Sequence, residues 1–491
     1  MIRKLLAASS LAALMAGPAL AGPPDTIALG MVLEPPNLDP TAAAAAAIDE
    51  VTYANLFEGL TRFGPDGEIL PWLAGSWDIE EDGRVYVFHL VEGVTFHDGA
   101  AFDASDVVFS LDRARGPDSV NAQKALFEGI ESVEAVDPRT VRITLKAPDG
   151  GLPFKLAWGD AAMVDPASAE TNATHPIGTG PFKFDEWRQG DRVVISAYDG
   201  YWGEKPALRE ATFRFIGDPT AAFAAMMSGD LDAFPQYPAP ETLAQLEADP
   251  RFQILIGTTE GETILALNNA NPPLDDVRVR RALAHAIDRQ AVIDGAMFGY
   301  GTPIGTHFAP HNPDYVDLTV QSAHDPDQSR QLLAEAGVEG LSLRLALPPT
   351  PYARRGGEII AEQLRAVGVQ TEVTNMEWSQ WLESVFGGGD FDMTIISHTE
   401  PMDIDIYARP DYYFHYARPE FVALMEALTA ETDPAQRSAL LQQAQRMIAD
   451  DYVNVYLFQL AKTGVADVRL RGLWLNGPTQ ANDLTGVHWE Q

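Results

Sequence analysis

The sequence predicts an α/β protein of two to three domains, and three features of the chain support this. A length of 491 residues corresponds to two or three domains of ordinary size. Helical and strand patterns alternate over residues 341–396, which is typical of a mixed or parallel sheet packed between helices. Residues 86–117 predict a strand, a turn, a second strand and a capped helix, as in a small α+β unit.

The composition argues against several classes of protein. The chain has 34 basic and 70 acidic residues, a formal net charge of −36, and a surface this negative repels nucleic acid. The chain has no cysteine, which removes disulfides, thiolate metal sites and cysteine nucleophiles. It also removes the cysteine that would carry a lipid anchor, so we expect an exported protein that is not tethered to a membrane.

The first 21 residues are typical of a cleaved signal peptide. Arg3 and Lys4 precede an apolar run over residues 5–14, and residues 19–21 give the small-x-small pattern of a cleavage site. The apolar run is shorter than the roughly 20 residues that span a bilayer. We therefore expect residues 1–21 to be removed and the mature protein to be periplasmic.

The strongest local prediction starts at Tyr86. Apolar residues fall on both sides of the period-2 pattern over residues 86–91, which predicts a strand covered on both faces. Residues 94–96 predict a second strand, and residues 98–99, Asp-Gly, predict a turn. Asp103 is placed to cap the helix that follows.

The other elements follow from strand patterns, from Asp-Pro helix starts and from glycine helix ends. In the first half these are a strand at 27–32, a proline-rich loop at 34–40, a strand at 192–197, a helix from Asp218 to Gly229, a strand at 231–234, a short strand at 264–267 and one long helix over about 276–298. In the second half they are a helix from Asp325 to Gly337, strands at 341–347, 369–373 and 391–396, a helix that opens at Trp378 and Trp381, a helix that starts at Asp433 and a strand at 452–458.

Three stretches carry a family resemblance. They read FHLVEGVTFHDGAAFDASDV (residues 88–107), PIGTGPFKFDEWRQGDRVVISAYDGYWG (residues 176–203) and LALNNANPPLDDVRVRRALAHAIDRQAVIDGAMFGYGTP (residues 265–303). The chain resembles the family 5 extracellular solute-binding proteins, the periplasmic peptide, opine and nickel receptors of ABC importers. The resemblance covers nearly the whole chain after the signal peptide.

The resemblance implies an α/β fold of the two-lobe periplasmic-binding-protein (flytrap) type, with an extra α+β subdomain on the first lobe. The expected divisions are residues 22–55 for the first part of lobe 1, 56–158 for the additional subdomain, 159–262 for the second part of lobe 1, 263–457 for lobe 2 and 458–491 for the return to lobe 1.

The resemblance also implies a function. We expect the protein to capture a small solute, a peptide or peptide-like compound, and to deliver it to an ABC permease and ATPase complex at the inner membrane. We expect a monomer without a cofactor. The motifs GxSxG, HExxH, Walker A and a complete GxGxxG do not occur, so an enzyme is not expected. Receptors for nickel or metal chelates, opines or oligosaccharides remain open, as does an enzyme or chaperone-like binder on this scaffold.

Residues 397–416 are the expected ligand-binding segment, because they directly follow a predicted strand, where ligands bind in open α/β sheets. Their acids and aromatic rings suit an ammonium group. The alternative is a solvated loop that packs on its own lobe. In the family, a loop equivalent to residues 34–40 also lines the cleft. The residues expected to bind substrate come from these two segments and from the helix that opens at Trp378: they are Asn37, Trp378, Trp381, His398, Glu400, Asp403, Asp405 and Tyr407.

The chain departs from the family's dipeptide binders in two places. His398 stands where those proteins have a tryptophan, and Asp403 or Asp405 is the nearest acid for the peptide amino group. Thr350 stands where they have the arginine for the peptide carboxylate, and two arginines follow shortly after it. Both departures weaken the assignment to dipeptides.

Four histidines have side chains that suit nickel or zinc. These are His307, His311, His398 and His415. None has the paired spacing of a dedicated metal site, so the sequence predicts polar cleft or surface residues and no metal.

Overall fold

A computed structural model describes residues 24–43, 45–400 and 403–490. The predicted signal peptide, residues 1–21, lies outside the described residues. The elements up to the first crossing between lobes are β1 (Thr26–Met31), α1 (Ala46–Thr52), β2 (Thr61–Phe63), β3 (Ile69–Pro71), β4 (Ala74–Glu80), β5 (Val85–Leu90), α2 (Ala104–Arg115), β6 (Ile130–Asp137), β7 (Thr140–Leu145), α3 (Leu152–Lys155), β8 (Phe182–Arg188), β9 (Arg192–Ala197), β10 (Glu210–Phe215), α4 (Pro219–Ser228), β11 (Ala233–Phe234), α5 (Leu243–Glu247) and β12 (Phe252–Leu267).

The remaining elements continue in chain order. They are α6 (Val277–Ala286), α7 (Arg289–Met297), β13 (Thr302–Pro303), α8 (Pro326–Ala336), β14 (Ser342–Leu347), α9 (Pro351–Ala366), β15 (Gln370–Asn375), α10 (Trp378–Trp381), β16 (Met393–His398), α11 (Pro419–Ala430), α12 (Pro434–Asp450), β17 (Asn454–Asp467), β18 (Leu470–Arg471) and β19 (His488–Trp489). A π-helical stretch, Leu382–Gly387, extends α10, and a 3₁₀ helix, Asp403–Ala408, follows β16.

The largest sheet in the described ranges has 11 strands and links two lobes. Its order is β15-β14-β16-β12-β17-β11-β1-β10-β9-β8, with β13 also paired to β17. Strands β12 and β17 pair antiparallel from Phe252↔Asp467 to Ala266↔Asn454. Because β17 also pairs with β11 near one end and β12 with β16 near the other, these two long strands carry the chain between the lobes.

A second sheet, with the antiparallel order β4-β5-β7-β6, belongs to the segment predicted as an additional subdomain. Tyr86 and Phe88 of β5 are fully buried and Val87 is 7% exposed, which confirms the strand. His89, on the same side of the strand as Val87, is exposed, so the second face is covered only in part. The predicted helix cap is confirmed as well. Asp103 accepts a hydrogen bond from the Ser105 backbone N–H at 2.7 Å, and Asp106 accepts one from the Asp103 N–H at 2.8 Å.

The prediction of one helix over about 276–298 is wrong. The chain leaves the helical conformation at Ile287, and Asp288 caps α7 by accepting a hydrogen bond from the Ala291 N–H at 3.1 Å. The apolar periodicity continues through this break, which is why the sequence pattern did not reveal it.

Three strand predictions also need correction. The strand expected at 94–96 is a single bridge between Thr95 and Ala101. The strand expected at 264–267 is the end of the much longer β12, and the strand expected at 452–458 starts only at Asn454 and continues to Asp467 as β17. The polar stretches of β12 and β17 pair with each other through the backbone. Helix α11 was not predicted.

The helix starts predicted at Asp218, Asp325 and Asp433 are confirmed, because each side chain accepts a hydrogen bond from a backbone N–H of the first turn. Taken together, the elements confirm an α/β fold of two lobes. Within the described ranges, no helix has both the length and the apolar character needed to cross a bilayer.

Candidate ligand-binding cleft

A cavity of about 1240 Å³ lies between two widely separated parts of the chain. Residues from 67 to 158 form what we call the first wall, and residues from 312 to 441 form the second wall. The volume exceeds the roughly 300–1,000 Å³ of a typical small-molecule pocket. The cleft therefore has room for a ligand of several residues or of comparable size.

The second wall is built where β16 ends. Strand β16 runs through the core of the second lobe and finishes at His398, and the 3₁₀ helix then starts at Asp403. This places Glu400 and Asp403 beyond the carboxyl end of a strand, the position at which open α/β sheets bind ligands. Both residues line the cleft.

Asp403 lies between two histidines. His307 Nε2 lies 2.7 Å from Asp403 Oδ1, and His398 Nδ1 lies 3.4 Å from Asp403 Oδ2. Burial disfavours the ionised form, but the contacts with the two histidines outweigh it and hold the pKa of the Asp403 carboxyl well below its usual range. The cleft therefore contains a fixed negative charge near neutral pH.

Aromatic rings surround this charge. Trp381 stacks on Phe386 with ring centroids 6.1 Å apart, and His398 stacks on Tyr413 at 6.2 Å. Trp381 Nε1 donates a hydrogen bond to Thr394 Oγ1 at 2.9 Å, which fixes its ring. Ring faces held in this way can contact a ligand cation.

The first wall has a different chemistry. Trp77, Phe154 and Trp158 contribute aromatic surface, and Phe154 meets Trp158 edge to face at 6.2 Å. Its cation, Lys155, forms an ion pair with Asp149 at 2.5 Å. This wall therefore presents apolar area with a charge that already has a partner.

The two walls are joined by a backbone hydrogen bond. The Gly150 N–H donates to the Thr429 carbonyl oxygen of α11 at 2.8 Å. A Cβ at Gly150 would collide with the Glu431 carbonyl oxygen, so only glycine fits this close approach.

Five of the eight predicted site residues line the cleft. They are Trp381, His398, Glu400, Asp403 and Asp405. Among the described residues, the other three lie outside this lining. Tyr407 is buried behind the second wall with its OH 3.2 Å from His307 Nδ1, Trp378 packs edge to face on Trp381 at 5.7 Å, and Asn37 accepts a hydrogen bond from the Asp39 N–H.

The two arginines after Thr350 do not reach the cleft lining in the described structure. Arg354 lies 3.2 Å from Glu377, and the Arg355 guanidinium lies over the Phe298 ring at 5.0 Å. The cations that line the cleft are Lys155, Arg409 and Arg437.

The sequence did not identify the residues of the first wall, nor Lys155 and Arg437. The one local signal was the pair Gly150–Gly151, which is typical of a close backbone approach. The sequence also did not identify Glu262. This residue belongs to β12, and one of its carboxylate oxygens lies within 4.8 Å of an oxygen of Asp403.

A cleft between two lobes that share long crossing strands defines a two-lobe solute-binding protein. Residues 68–418 match the model of the bacterial extracellular solute-binding proteins, family 5, middle region. The chain belongs to family 5 of the bacterial extracellular solute-binding proteins, as the sequence motifs predicted.

Similar proteins agree with this assignment. The glutathione-binding protein GsiB of Pectobacterium atrosepticum is 34% identical over 395 residues, which cover 79% of this chain and 76% of that protein. The dipeptide-binding protein of Escherichia coli is 30% identical over 387 residues, which cover 72% of each chain. The solved structure of HbpA2 from Haemophilus parasuis superposes with a TM-score of 0.87 at 25% identity and covers 95% of this chain and 100% of that one. Both curated relatives are named as binding proteins.

Proposed function

We propose that the protein is the substrate-binding component of an ABC importer and that it captures a peptide or peptide-like compound between the two walls of the cleft. The observation that carries the proposal is the group of carboxylates on the second wall, Glu400, Asp403 and Asp405, beside aromatic rings. The names of the relatives, glutathione-binding and dipeptide-binding, support the same class of ligand.

Asp403 is the carboxylate best placed to accept a ligand ammonium group. It lines the cleft, and its low pKa keeps it ionised near neutral pH. A hydrogen bond between charged groups is worth about 1.5–3 kcal/mol in a partly buried site. Asp405 is less available, because its side chain is 55% exposed and lies 2.7 Å from Arg409.

The aromatic rings of the second wall supply the second part of the recognition. Phe386 and Tyr412 line the cleft and meet edge to face at 5.7 Å. Cation–π contact with a ring is worth roughly 0.5–2 kcal/mol, depending on how far water is excluded. An amino group beside Asp403 therefore gains from both a carboxylate and neighbouring rings.

Capture and delivery follow from the two walls. A ligand that contacts both walls stabilises the closed form by its extra contacts there, and only that difference shifts the equilibrium between open and closed forms. In this proposal the closed form docks on a membrane permease driven by ATPase subunits. The mature protein acts in the periplasm as a monomer after removal of residues 1–21, without a cofactor and without nucleic acid.

Isothermal titration calorimetry with paired ligands tests the proposal. The probes are glutathione and a tripeptide with a free amino group, each compared with its N-acetylated form. Loss of a charge pair in a partly buried site costs about 2–5 kcal/mol, so we expect N-acetylation to weaken binding by roughly 30-fold or more. Equal binding of the acetylated forms, or binding of only an opine, an oligosaccharide or a nickel chelate, would contradict the proposal.

A further inference from the structure

A cluster of metal-ligating side chains lies behind the second wall. Glu262, His307 and Asp403 each offer one ligand atom, and these atoms all lie within 4.8 Å of one another. A second group, His398, Glu400 and Asp403, lies on the cleft side. Asp403 belongs to both groups, so its two oxygens face in different directions.

Strand pairing brings the cluster together. Glu262 of β12 lies directly opposite His398 of β16 in the antiparallel pair, and opposite residues project to the same face of a sheet. On the other side, Glu262 lies opposite Gln459 of β17, and Gln459 also pairs with Thr302 of β13. The short β13 therefore leads the chain to His307 beside the same position.

Glu262 has no hydrogen-bond partner for one of its oxygens among the described residues. The residue is 3% exposed, and its Oε2 atom is buried and unpaired. The other charged groups that act on it are Glu260, Asp403 and Glu400. A buried carboxylate among carboxylates is costly unless a cation neutralises it.

Two tyrosines orient the histidines. His307 turns Nε2 to Asp403 at 2.7 Å and Nδ1 to the Tyr407 hydroxyl at 3.2 Å. His398 turns Nδ1 to Asp403 at 3.4 Å and Nε2 to the Tyr413 hydroxyl at 3.1 Å. In the tautomer that has its proton on the far nitrogen, the hydroxyl accepts that N–H and the near nitrogen can bind a metal in place of its contact with Asp403, as in metal-ligating histidines.

We propose that Glu262, His307 and Asp403 bind a divalent transition-metal ion of the zinc class behind the second wall. One imidazole nitrogen and two carboxylate oxygens are a donor set that Zn²⁺ accepts at about 2.0–2.2 Å from each atom. Rotation of the three side chains brings the atoms from their present separations onto one ion. The ion offsets the negative charge of the clustered acids.

This site adjoins the proposed peptide site, because Asp403 belongs to both. Among the described residues, Glu262 and His307 do not line the cleft. Glu262 follows the irregular pairing of β12 with β17 between Thr258 and Glu262, where the chain passes between the lobes. A metal there would bind without peptide and would stiffen the crossing.

Calorimetric titration with Zn²⁺ tests the inference on the mature protein, without an affinity tag and after dialysis against a chelator. We expect one equivalent of zinc for the wild type and at least about tenfold weaker binding for Glu262→Gln and for His307→Gln. The matched control is His285→Gln, because His285 is also a buried histidine but binds the Ala323 carbonyl oxygen, outside the cluster. The control should bind zinc like the wild type.

Tyr407→Phe keeps the test decisive if the ligand variants do not fold. It removes the hydroxyl that orients His307 and leaves every ligand in place, so we expect zinc affinity to fall about tenfold or more. A wild type that binds no zinc would overturn the inference. Zinc binding unchanged by Glu262→Gln, His307→Gln and Tyr407→Phe, or lost equally in His285→Gln, would overturn it as well.

Discussion

The first wall of the cleft is lined mainly by apolar and small residues, whereas the second wall carries Glu400, Asp403 and Asp405 beside aromatic rings. The cation of the first wall, Lys155, is already paired with Asp149. Asp403 on the second wall lies between histidines, while a buried acid, Glu262, lies near it with one carboxylate oxygen unpaired among the described residues. The difference indicates a division of roles in which the second wall recognises a ligand's positive charge and the first wall encloses it with apolar surface.

The largest expected effect comes from removing the charge of the second wall. Asp403→Asn keeps the shape of the side chain but not its charge, so we expect affinity for a peptide with a free amino group to fall about 30-fold or more. Calorimetry at pH 7 in chelator-treated buffer measures this. The matched control is Asp405→Asn, which should change affinity less than about fivefold, because Asp405 is half exposed and paired with Arg409.

A larger loss in Asp405→Asn than in Asp403→Asn would reverse this assignment. Thermal melting of both variants checks that they fold, since Asp403 also contacts His307 and His398.

A second prediction compares buried acids beneath the two walls. Glu58 lines a small cavity together with Trp158 of the first wall. It accepts hydrogen bonds from Tyr201 OH at 2.9 Å and Trp202 Nε1 at 3.0 Å. Burial raises the pKa of its carboxyl from 4.5 to about 7 in spite of these donors. The folded state therefore holds this proton more tightly than the unfolded state does, and the stability gained is present below pH 4.5 and is lost as pH rises through about 7.

This shift corresponds to roughly 3 kcal/mol. We expect the wild type to lose stability between pH 5 and pH 8, and Glu58→Gln to lose less, as measured by urea unfolding at both values. Glu128→Gln, at an exposed acid, should behave like the wild type. If the free energy of unfolding of Glu58→Gln depended on pH as that of the wild type does, Glu58 would not be a source of the pH dependence.

For Asp403 the pH dependence of stability has the opposite sign. Its pKa is lowered in the folded state, so its contribution to the free energy of unfolding is kept until the pH falls far into the acid range.

The smallest expected effect is on the first wall. Ile79 lines the cleft and is 39% exposed. Ile79→Ala removes apolar surface that a ligand covers, so we expect a loss of about 1 kcal/mol, or roughly fivefold in affinity. The loss should be the same for free and N-acetylated peptides, whereas that of Asp403→Asn should appear only with the free amine.

Ile256→Ala is the matched control, since Ile256 is 42% exposed and does not belong to the described lining of the cleft. A larger effect of Ile79→Ala on the free amine than on the acetylated peptide would show that the first wall also senses charge.

Local signals predicted much of the fold. The strand at Tyr86 and the cap at Asp103 depend on neighbouring residues alone, and both are confirmed. The break at Asp288 escaped prediction because apolar periodicity runs through it. Strand β12 escaped in part because its residues 258–263 include threonines, acids and a glycine, which are poor strand signals without a partner strand.

In the candidate site too, some residues could be predicted from local sequence and others could not. Glu400, Asp403 and Asp405 could be predicted, because they follow a strand in one continuous segment. Trp77 and Lys155 could not, since only tertiary packing brings them opposite that segment. Asn37 was expected from the resemblance alone, and its side chain bonds to its own loop.

A distance measured across the cleft tests the central claim, that a ligand is held between the two walls. The chain has no cysteine. Spin labels attached to the double variant Val120→Cys/Val320→Cys therefore report a single label-to-label distance. These residues are 66% and 84% exposed, and they lie in the chain segments that form the first wall and the second wall, respectively. We predict that a peptide with a free amino group, bound at saturation by calorimetry, shortens and narrows the distance distribution in double electron–electron resonance. An unchanged distribution with the peptide bound would contradict the account.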